Sequence, residues 1–447
     1  MNTADKWLAV AGLALFAVAG VVGWRSGERA PVADRRVVAA PARSAVDAVS
    51  TQGMVMNQDA AASLITLSER CPPSFEKTAR GTCELRDLYQ FYDSLEGAGL
   101  GGTQTGLPPN RDGFTPAEID LGRYLFFDPL LSGDGTLSCA SCHRPDQGFS
   151  DGRPRSIGVH GQDVGRAAPT LWNVAFLKSF FWDARAGSLE AQAVGPLFSS
   201  KEMGNTPERL LAGLNGNAEY RRLFADAFPA LRGKPIALPQ VERALAAFQS
   251  SLISLNSRYD RYAQGYHAAL SEHEIEGLNV FRSFVARCAE CHTPPLFTNQ
   301  QVAVIGAPEP KGRPFDVGAE ATFHAAKLKG GFKVPTLRNI ARTAPYMHSG
   351  AFGTLRDTVV FYNKGRGNAV PKGMTLYLHW HIGSPHLTDY EVDRLVDFMQ
   401  ALTDETFMPE IPARVPSGLR PIDNPPQGAA ATRTAMAHEN KTRGEFR

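Results

Sequence analysis

Two five-residue stretches hold the densest chemistry in this 447-residue chain: CASCH at 139–143 and CAECH at 288–292. In each, two thiols three positions apart are followed at once by an imidazole. That pattern suits covalent haem attachment, in which the thiols add across two porphyrin vinyl groups and the histidine points at iron. Cys139, Cys142 and His143 would hold one haem c, and Cys288, Cys291 and His292 a second. A pair of CxxC knuckles also suits tetrahedral zinc, and a single one suits a thiol–disulfide redox pair. Zinc needs no histidine after each knuckle, and the redox motif needs a βαβ setting that the sequence lacks. Two covalent haems is the reading that uses all six residues.

Haem catalysis also needs an acid–base group and a path for a second electron. The segment FFWDARAGSLEAQAVGPLFSSKEM, 180–203, offers both. Trp182 could relay electrons between two haems, Glu202 could move a proton between the oxygens of H2O2, and Gln192 and Pro196 could line the same pocket. Taken alone, a tryptophan is more often core and such a glutamate more often a solvated helix start. A second strip, APYMHSGAFGTLRDTVVFYN at 344–363, contains four potential iron ligands, Tyr346, Met347, His348 and Tyr362. Core packing is the ordinary fate of such residues. In LHWHIGSPH, His379, His381 and His386 have no carboxylate or cysteine at ligand spacing beside them, so this cluster reads as surface loop.

Each CxxCH must be presented by an element, and each is preceded by the same one. TPAEIDLGRYLFF and SEHEIEGLNVFRSF both open with a capping box, Thr115 with Glu118 and Ser271 with Glu274, followed by apolar residues at helical spacing. Helical patterns recur at 241–255 and 389–404, and no alternating run is long enough for a sheet core. The fold class is therefore mainly α, with two cytochrome c-like haem domains in tandem, and 42 Gly and 31 Pro make it loop-rich. The expected boundaries are 105–262 for the N-terminal haem domain and 263–410 for the C-terminal one. Residues 61–104 form an extension in which Cys71 and Cys83 are expected to pair, as befits an exported chain. Residues 25–60 read as a flexible linker and 411–447 as a disordered tail. Residues 1–24 read as a signal peptide or membrane anchor, with an 18-residue apolar run from Trp7 to Trp24; either one exports the rest of the chain. A net charge of +2 with evenly mixed signs gives no reason to expect a nucleic-acid partner.

The ordered motifs CxxCH, R-x-x-PT-L-x-N, FWD-x-R-A-x-SLE, GP, EM, CxxCH, VPTLRN and APY-x-H-x-G resemble the bacterial di-haem cytochrome c peroxidase family, including its MauG-like members, over residues 105 to 405. The resemblance implies an active site on the N-terminal haem, with His143 and His292 as proximal ligands. It further implies Trp182 between the haems, Glu202 as active-site glutamate and Gln192 and Pro196 in the distal pocket. Counting from Thr354-Leu355, Tyr362 falls where the peroxidases place the second haem's Met ligand and MauG-like members place Tyr. Met347 and His348 then belong to haem packing and hydrogen bonding. The resemblance also implies one Ca2+ bound partly by the Thr343 and Pro345 carbonyls. Two departures stand out: Ala167 replaces the motif's calcium-binding Asn, and His160 in SIGVHGQ, the nearest candidate for the first haem's distal ligand, is one position out of step with the peroxidases' distal His. Three activities are compatible with these residues. The first is a periplasmic peroxidase fed by a small cytochrome c or a cupredoxin. The second is a MauG-like oxidant of residues in a partner protein substrate, and the third a non-catalytic electron-transfer protein.

Overall fold

The computed structural model describes residues 64–87, 106–368, 370 and 373–421. The apolar 7–24 run and the 25–60 linker lie outside these residues, as do 422–447. Eleven helices occur among the described residues. Those of the first half are α1 (Pro116–Phe127), α2 (Leu189–Phe198), α3 (Pro207–Gly216), α4 (Ala218–Ala227) and α5 (Leu238–Ser250). The second half contains α6 (Arg258–Ala263), α7 (Glu272–Arg282), α8 (Cys288–Cys291), α9 (Glu320–Phe323), α10 (Leu355–Lys364) and α11 (Asp389–Gln400). Among the described residues, sheet is limited to two antiparallel ribbons, β1 (Phe75–Lys77) with β2 (Cys83–Leu85), and β3 (Val302–Val304) with β4 (Gly331–Lys333).

Both expected capping boxes are present. Thr115 N–H donates to Glu118 Oε2 at 2.7 Å, and Ser271 N–H donates to Glu274 Oε2 at 2.9 Å. In return Glu118 N–H donates to Thr115 Oγ1 and Glu274 N–H to Ser271 Oγ, so each helix start satisfies its own free amides.

The two lead helices cross their partners in the same way. α1 packs on α5 and α7 on α11. A Cβ at Gly122 would collide with the Ala244 carbonyl and lie 2.9 Å from Phe248 Cβ; at Gly277 it would collide with the Arg394 carbonyl and lie 2.8 Å from Phe398 Cβ. Glycine is what lets each pair of backbones approach this closely. Around these crossings sit two hydrophobic clusters, one on Leu125, Phe126, Leu245 and Phe248, the other on Leu278, Phe281, Phe297 and Phe398. Buried Ser254 joins the halves: Asn173 Nδ2 donates to its carbonyl at 2.9 Å, and Asn339 Nδ2 donates to its hydroxyl at 2.6 Å.

Cys71 and Cys83 form a disulfide that closes the β1–β2 ribbon. The segment 411–421, expected to lack structure, instead packs on the first half. Val415 is fully buried, Ser417 Oγ donates to Asp128 Oδ1 at 2.6 Å, and Arg414 pairs with Glu219 at 3.0 Å. Its prolines and polar residues suggested solvation, yet they meet partners on α4 and on the turn after α1.

Candidate functional site: one cavity shared by both CxxCH motifs

The first CxxCH runs through a single tight turn, Cys139–Ser141, and the second through α8. Each histidine is held by its Nδ1. His143 donates to the Phe149 carbonyl at 2.9 Å, and His292 lies 3.1 Å from the carbonyls of both Phe297 and Pro335. Those bonds place the ring proton on Nδ1 and leave Nε2 with its lone pair, the form in which imidazole ligates a metal. Phe149 and Phe297 both adopt left-handed backbone, φ 61° and 55°, uncommon for a bulky residue. Burial lowers the pKa of both imidazoles, so they are neutral and ready to ligate.

Burial pushes the Cys139 and Cys288 thiols up to about 12 and Cys142 to about 11. Thiols so reluctant to ionise do not suit a low-pKa thiol–disulfide redox pair. The two motifs open onto one cavity of about 1030 Å³, lined by Cys139, Cys142, His143, Cys288, Cys291 and His292 among others. That lies at the upper end of the ~300–1,000 Å³ of ordinary small-molecule sites. An apolar cavity with a thiol pair and a lone-pair imidazole in each half fits two covalently held haems.

Trp182, Gln192, Pro196, Glu202 and Tyr362 all line this cavity. Trp182 is fixed from several sides. Its Nε1 donates to the Ala167 carbonyl at 2.9 Å, its own carbonyl accepts from Lys333 N–H at 2.7 Å, and its ring meets Phe332 and His348 edge-on. The neighbouring Asp183 accepts from Arg166 at 2.8 Å, and Arg166 also grips Asp316 at 2.6 Å, tying the Trp182 segment to the second half. Gln192 and Pro196 lie on α2, whose Ser188 cap accepts from Ala191 N–H. Glu202 comes in the turn after α2. The loop 156–162 presses on this turn: Val159 N–H donates to the Glu202 carbonyl at 2.8 Å, and a Cβ at Gly158 would collide with the Lys201 carbonyl. Burial raises the Glu202 carboxyl above its ordinary range, and the Arg185 guanidinium pulls it partly back.

Tyr362 projects from α10. Burial raises its phenol, with further upward pressure from the neighbouring Cys291 and Cys288 thiols. Of the other strip residues, Tyr346 is buried and Met347 lines the cavity. His348 also lines the cavity, but its Nε2 is engaged 2.7 Å from Glu309 Oε1 and its ring is stacked on Phe332 at 3.7 Å. Thr343 and Pro345 line the cavity on either side of Ala344, whose bond to Pro345 is cis. Ala167 donates its amide to the His348 carbonyl.

His160 requires a correction. It does not line this cavity; its side chain is 69 % exposed, 3.7 Å from Asp134 and beside a separate small surface pocket. Left-handed backbone at His160, φ 58°, belongs to a turn that brings Gly158 to the cavity instead.

Three features escaped the sequence reading. Lys333, half-buried and pushed down to about 8 by desolvation, lines the cavity and donates to the Ser179 carbonyl at 3.0 Å. The Arg166–Asp183–Asp316 network spans both halves. The supposed surface loop 379–381 brings His379 and His381 to Cys291, with ligating atoms all within 4.8 Å of one another. The first two involve charged residues that sequence places on any surface; the third needs a long-range contact. Were the Cys291 sulfur committed to a haem thioether, only the two imidazoles of that trio would keep ordinary ligand strength.

Residues 116–268 match the family described as di-haem cytochrome c peroxidase. The methylamine utilization protein MauG of Methylorubrum extorquens is 34 % identical over 307 residues, covering 68 % of this chain and 84 % of that one. Cytochrome c551 peroxidase of Pseudomonas aeruginosa is 33 % identical over 311 residues, covering 68 % and 84 %. Among solved structures, a MauG-like protein associated with microbial copper homeostasis superposes with TM-score 0.62 at 32 % identity, over 68 % of this chain and 95 % of that one.

Proposed function

The chain belongs to the di-haem cytochrome c peroxidase family, and from that premise we propose that it reduces hydrogen peroxide to water with electrons from a small periplasmic carrier, a cytochrome c or a cupredoxin. The observation that carries this reading is the single cavity into which both CxxCH histidines, Trp182 and Glu202 all open. When bound, two haems c supply the redox-active irons. Cys139 and Cys142 would hold the first and Cys288 and Cys291 the second, with His143 and His292 as proximal ligands whose orientation is fixed by the Phe149 and Phe297 carbonyls.

Glu202 takes a proton from the first oxygen of H2O2 and returns it to the second as the O–O bond breaks. A carboxyl raised toward neutrality can do both. Two electrons and two further protons complete the conversion of one peroxide to two waters. Gln192 and Pro196 bound the space in which peroxide sits, and Trp182, held by Ala167 and Lys333, bridges the halves for the second electron. Tyr362 would be the second half's further protein ligand to its haem, and an anionic oxygen there would favour ferric iron and lower the potential.

Tyr362 also supports a second reading, MauG-like oxidation of residues in a partner protein, because a lower potential at the second iron would make oxidising equivalents easier to hold there until a hard-to-oxidise substrate meets them. A Ca2+ held by the Thr343 and Pro345 carbonyls belongs to either reading. Metal analysis before and after chelation tests it, and the lack of a side-chain oxygen at Ala167 predicts weak retention. Export is supported by the Cys71–Cys83 disulfide. Among the described residues, no helix is long and apolar enough to cross a membrane.

The test is to add H2O2 to the purified haem-loaded protein and monitor its Soret and near-infrared spectra, with and without reduced cytochrome c. Peroxide-dependent spectral change with fast cytochrome oxidation is the expected result. Spectral change without cytochrome oxidation would favour the partner-protein reading, and no change at all would refute both.

A further inference from the structure

Two rings wall Trp182 on one side. Phe332 meets it edge-on at 6.5 Å and 88°, His348 at 6.4 Å and 71°, and these two stack on each other at 3.7 Å. A carboxylate stands behind them. The His348 side chain is 3 % exposed, and its Nε2 lies 2.7 Å from Oε1 of Glu309, itself only 14 % exposed. The backbone braces the same group: the His348 carbonyl accepts from Ala167 N–H at 2.8 Å, and the Ala167 carbonyl accepts from Trp182 Nε1 at 2.9 Å. On the other flank Ser349 Oγ donates to the Pro308 carbonyl at 2.9 Å, pinning the loop that carries Glu309. Carboxylate, imidazole and indole thus form one braced unit.

The partner of Trp182 Nε1 decides what an electron relay there must tolerate. A carbonyl oxygen accepts a hydrogen bond but cannot take the indole's proton. An indole that gives up an electron in this place therefore keeps its proton and becomes a cation. The charges around it are closely matched. Arg166 is shared between Asp183 and Asp316, Arg185 also binds Asp183, and Lys333 donates to the Ser179 carbonyl. Against these three cations stand Asp183, Asp316 and Glu309. Taking the charge from Glu309 would leave three cations facing two carboxylates, in surroundings where charges are felt strongly.

We propose that Glu309, acting through His348, is a positioning residue for the electron that passes between the halves: its carboxylate stabilises the positive charge that Trp182 carries while it relays. This rests on the peroxidase reading above, with Trp182 as the bridge. Trp182 gives one electron to the first half, its indole becoming a cation, and takes one back from the second haem, which ends oxidised by one electron. No bond forms or breaks at Trp182, and Nε1 keeps its proton. Two electrons, one from each haem, with two protons turn one H2O2 into two waters. His348 fixes where the carboxylate sits, and Phe332, stacked on the imidazole, fixes His348.

The test uses the full-length haem-loaded protein with both haems reduced, mixed with an equimolar amount of H2O2 in a stopped-flow spectrometer. Wild type is compared with Glu309→Gln, Glu309→Asp, Trp182→Phe and the double variant Trp182→Phe/Glu309→Gln. Loss of each haem's ferrous bands times the two oxidations separately, and spectroelectrochemistry gives both potentials. Glu309→Gln keeps a hydrogen-bonding oxygen for His348 and removes the charge. It should slow oxidation of the second haem by about ten-fold, with oxidation of the first and both potentials at their wild-type values. Glu309→Asp, which keeps the charge, should recover most of the rate. In the Trp182→Phe background, Glu309→Gln should change the rate by less than about two-fold, because no indole cation is left to stabilise. A Glu309→Gln rate within about two-fold of wild type would overturn the proposal, as would an equal loss with and without Trp182. So would a slowing matched by a shifted haem potential, which marks a displaced haem. Failure of the peroxidase reading looks different: the wild type keeps both sets of ferrous bands in H2O2, and Glu309 then has no relay to serve.

Discussion

In the first half, Phe126 and Phe248 meet at 5.0 Å and 57° across the glycine-mediated crossing; in the second, Phe281 and Phe398 meet at 5.1 Å and 56°. The likeness continues into the loops. Thr170 Oγ1 donates to the Gly148 carbonyl and Thr336 Oγ1 to the Leu296 carbonyl, and Asn173 and Asn339 share left-handed backbone. Then the halves part. Where Trp172 stands on Phe149 at 5.0 Å, the second half has Arg338 over Phe297 at 5.2 Å, fully buried and paired with a fully buried Asp260 at 2.5 Å. Glu202 lines the cavity beside the first half's motif, and Tyr362 faces the thiols of the second. On the proposed function, the shared parts would grip a large planar group and the unshared parts would decide what each copy of that group does.

The largest expected effect breaks the division of labour at Glu202. Glu202→Gln should slow peroxide cleavage by about 10²–10⁴-fold in stopped-flow spectra, while electron transfer into the second half is unchanged. Equal slowing of both would erase the distinction. Next comes the buried pair: Asp260→Asn should cost about 3–5 kcal/mol in denaturant unfolding, because Arg338 keeps its charge without its partner. Tyr362→Phe should raise the second haem's potential by on the order of 100 mV in spectroelectrochemistry, within the ~0.8 V that axial ligands span, and leave the first near its original value. Gly122→Ala and Gly277→Ala should each cost about 1–3 kcal/mol, and similar costs in the two halves are the sharpest test of their equivalence.

The smallest effect is one of pH. The folded state holds the Glu202 proton to higher pH than the unfolded chain, whose value lies near 4.5. The native state then binds more protons than the unfolded state in the window opening at 4.5, so stability from this group falls as pH rises through it. Glu202→Gln should flatten that segment of the stability profile, and the wild-type rate should rise with an apparent pKa above 4.5.

Local signals made much of this legible in the sequence. The CxxCH motifs and the capping boxes each sit within five residues, so spacing alone specifies their geometry. Trp182, Glu202 and Tyr362 were individually ambiguous, and only their order among other motifs brought them to one cavity. His160 was misread because a turn's handedness, set by backbone φ at one residue, decides which side chain faces inward. The approach of His379 and His381 to Cys291 depends on packing between distant segments, which no local pattern encodes. The ordering of 411–421 likewise depends on acceptors, Asp128 and Glu219, that are displayed only once the first half has formed.

That last contact sets an order of assembly. Asp128 is buried in the first half and accepts from Tyr220 at 2.6 Å, yet it also binds the backbone and side chain of Ser417. A chain emerging from its N-terminus can therefore build most of the first half early, but must wait for nearly its whole length to seal it. Until residue 417 arrives, the buried Asp128 carboxylate lacks the two donors that Ser417 brings to it.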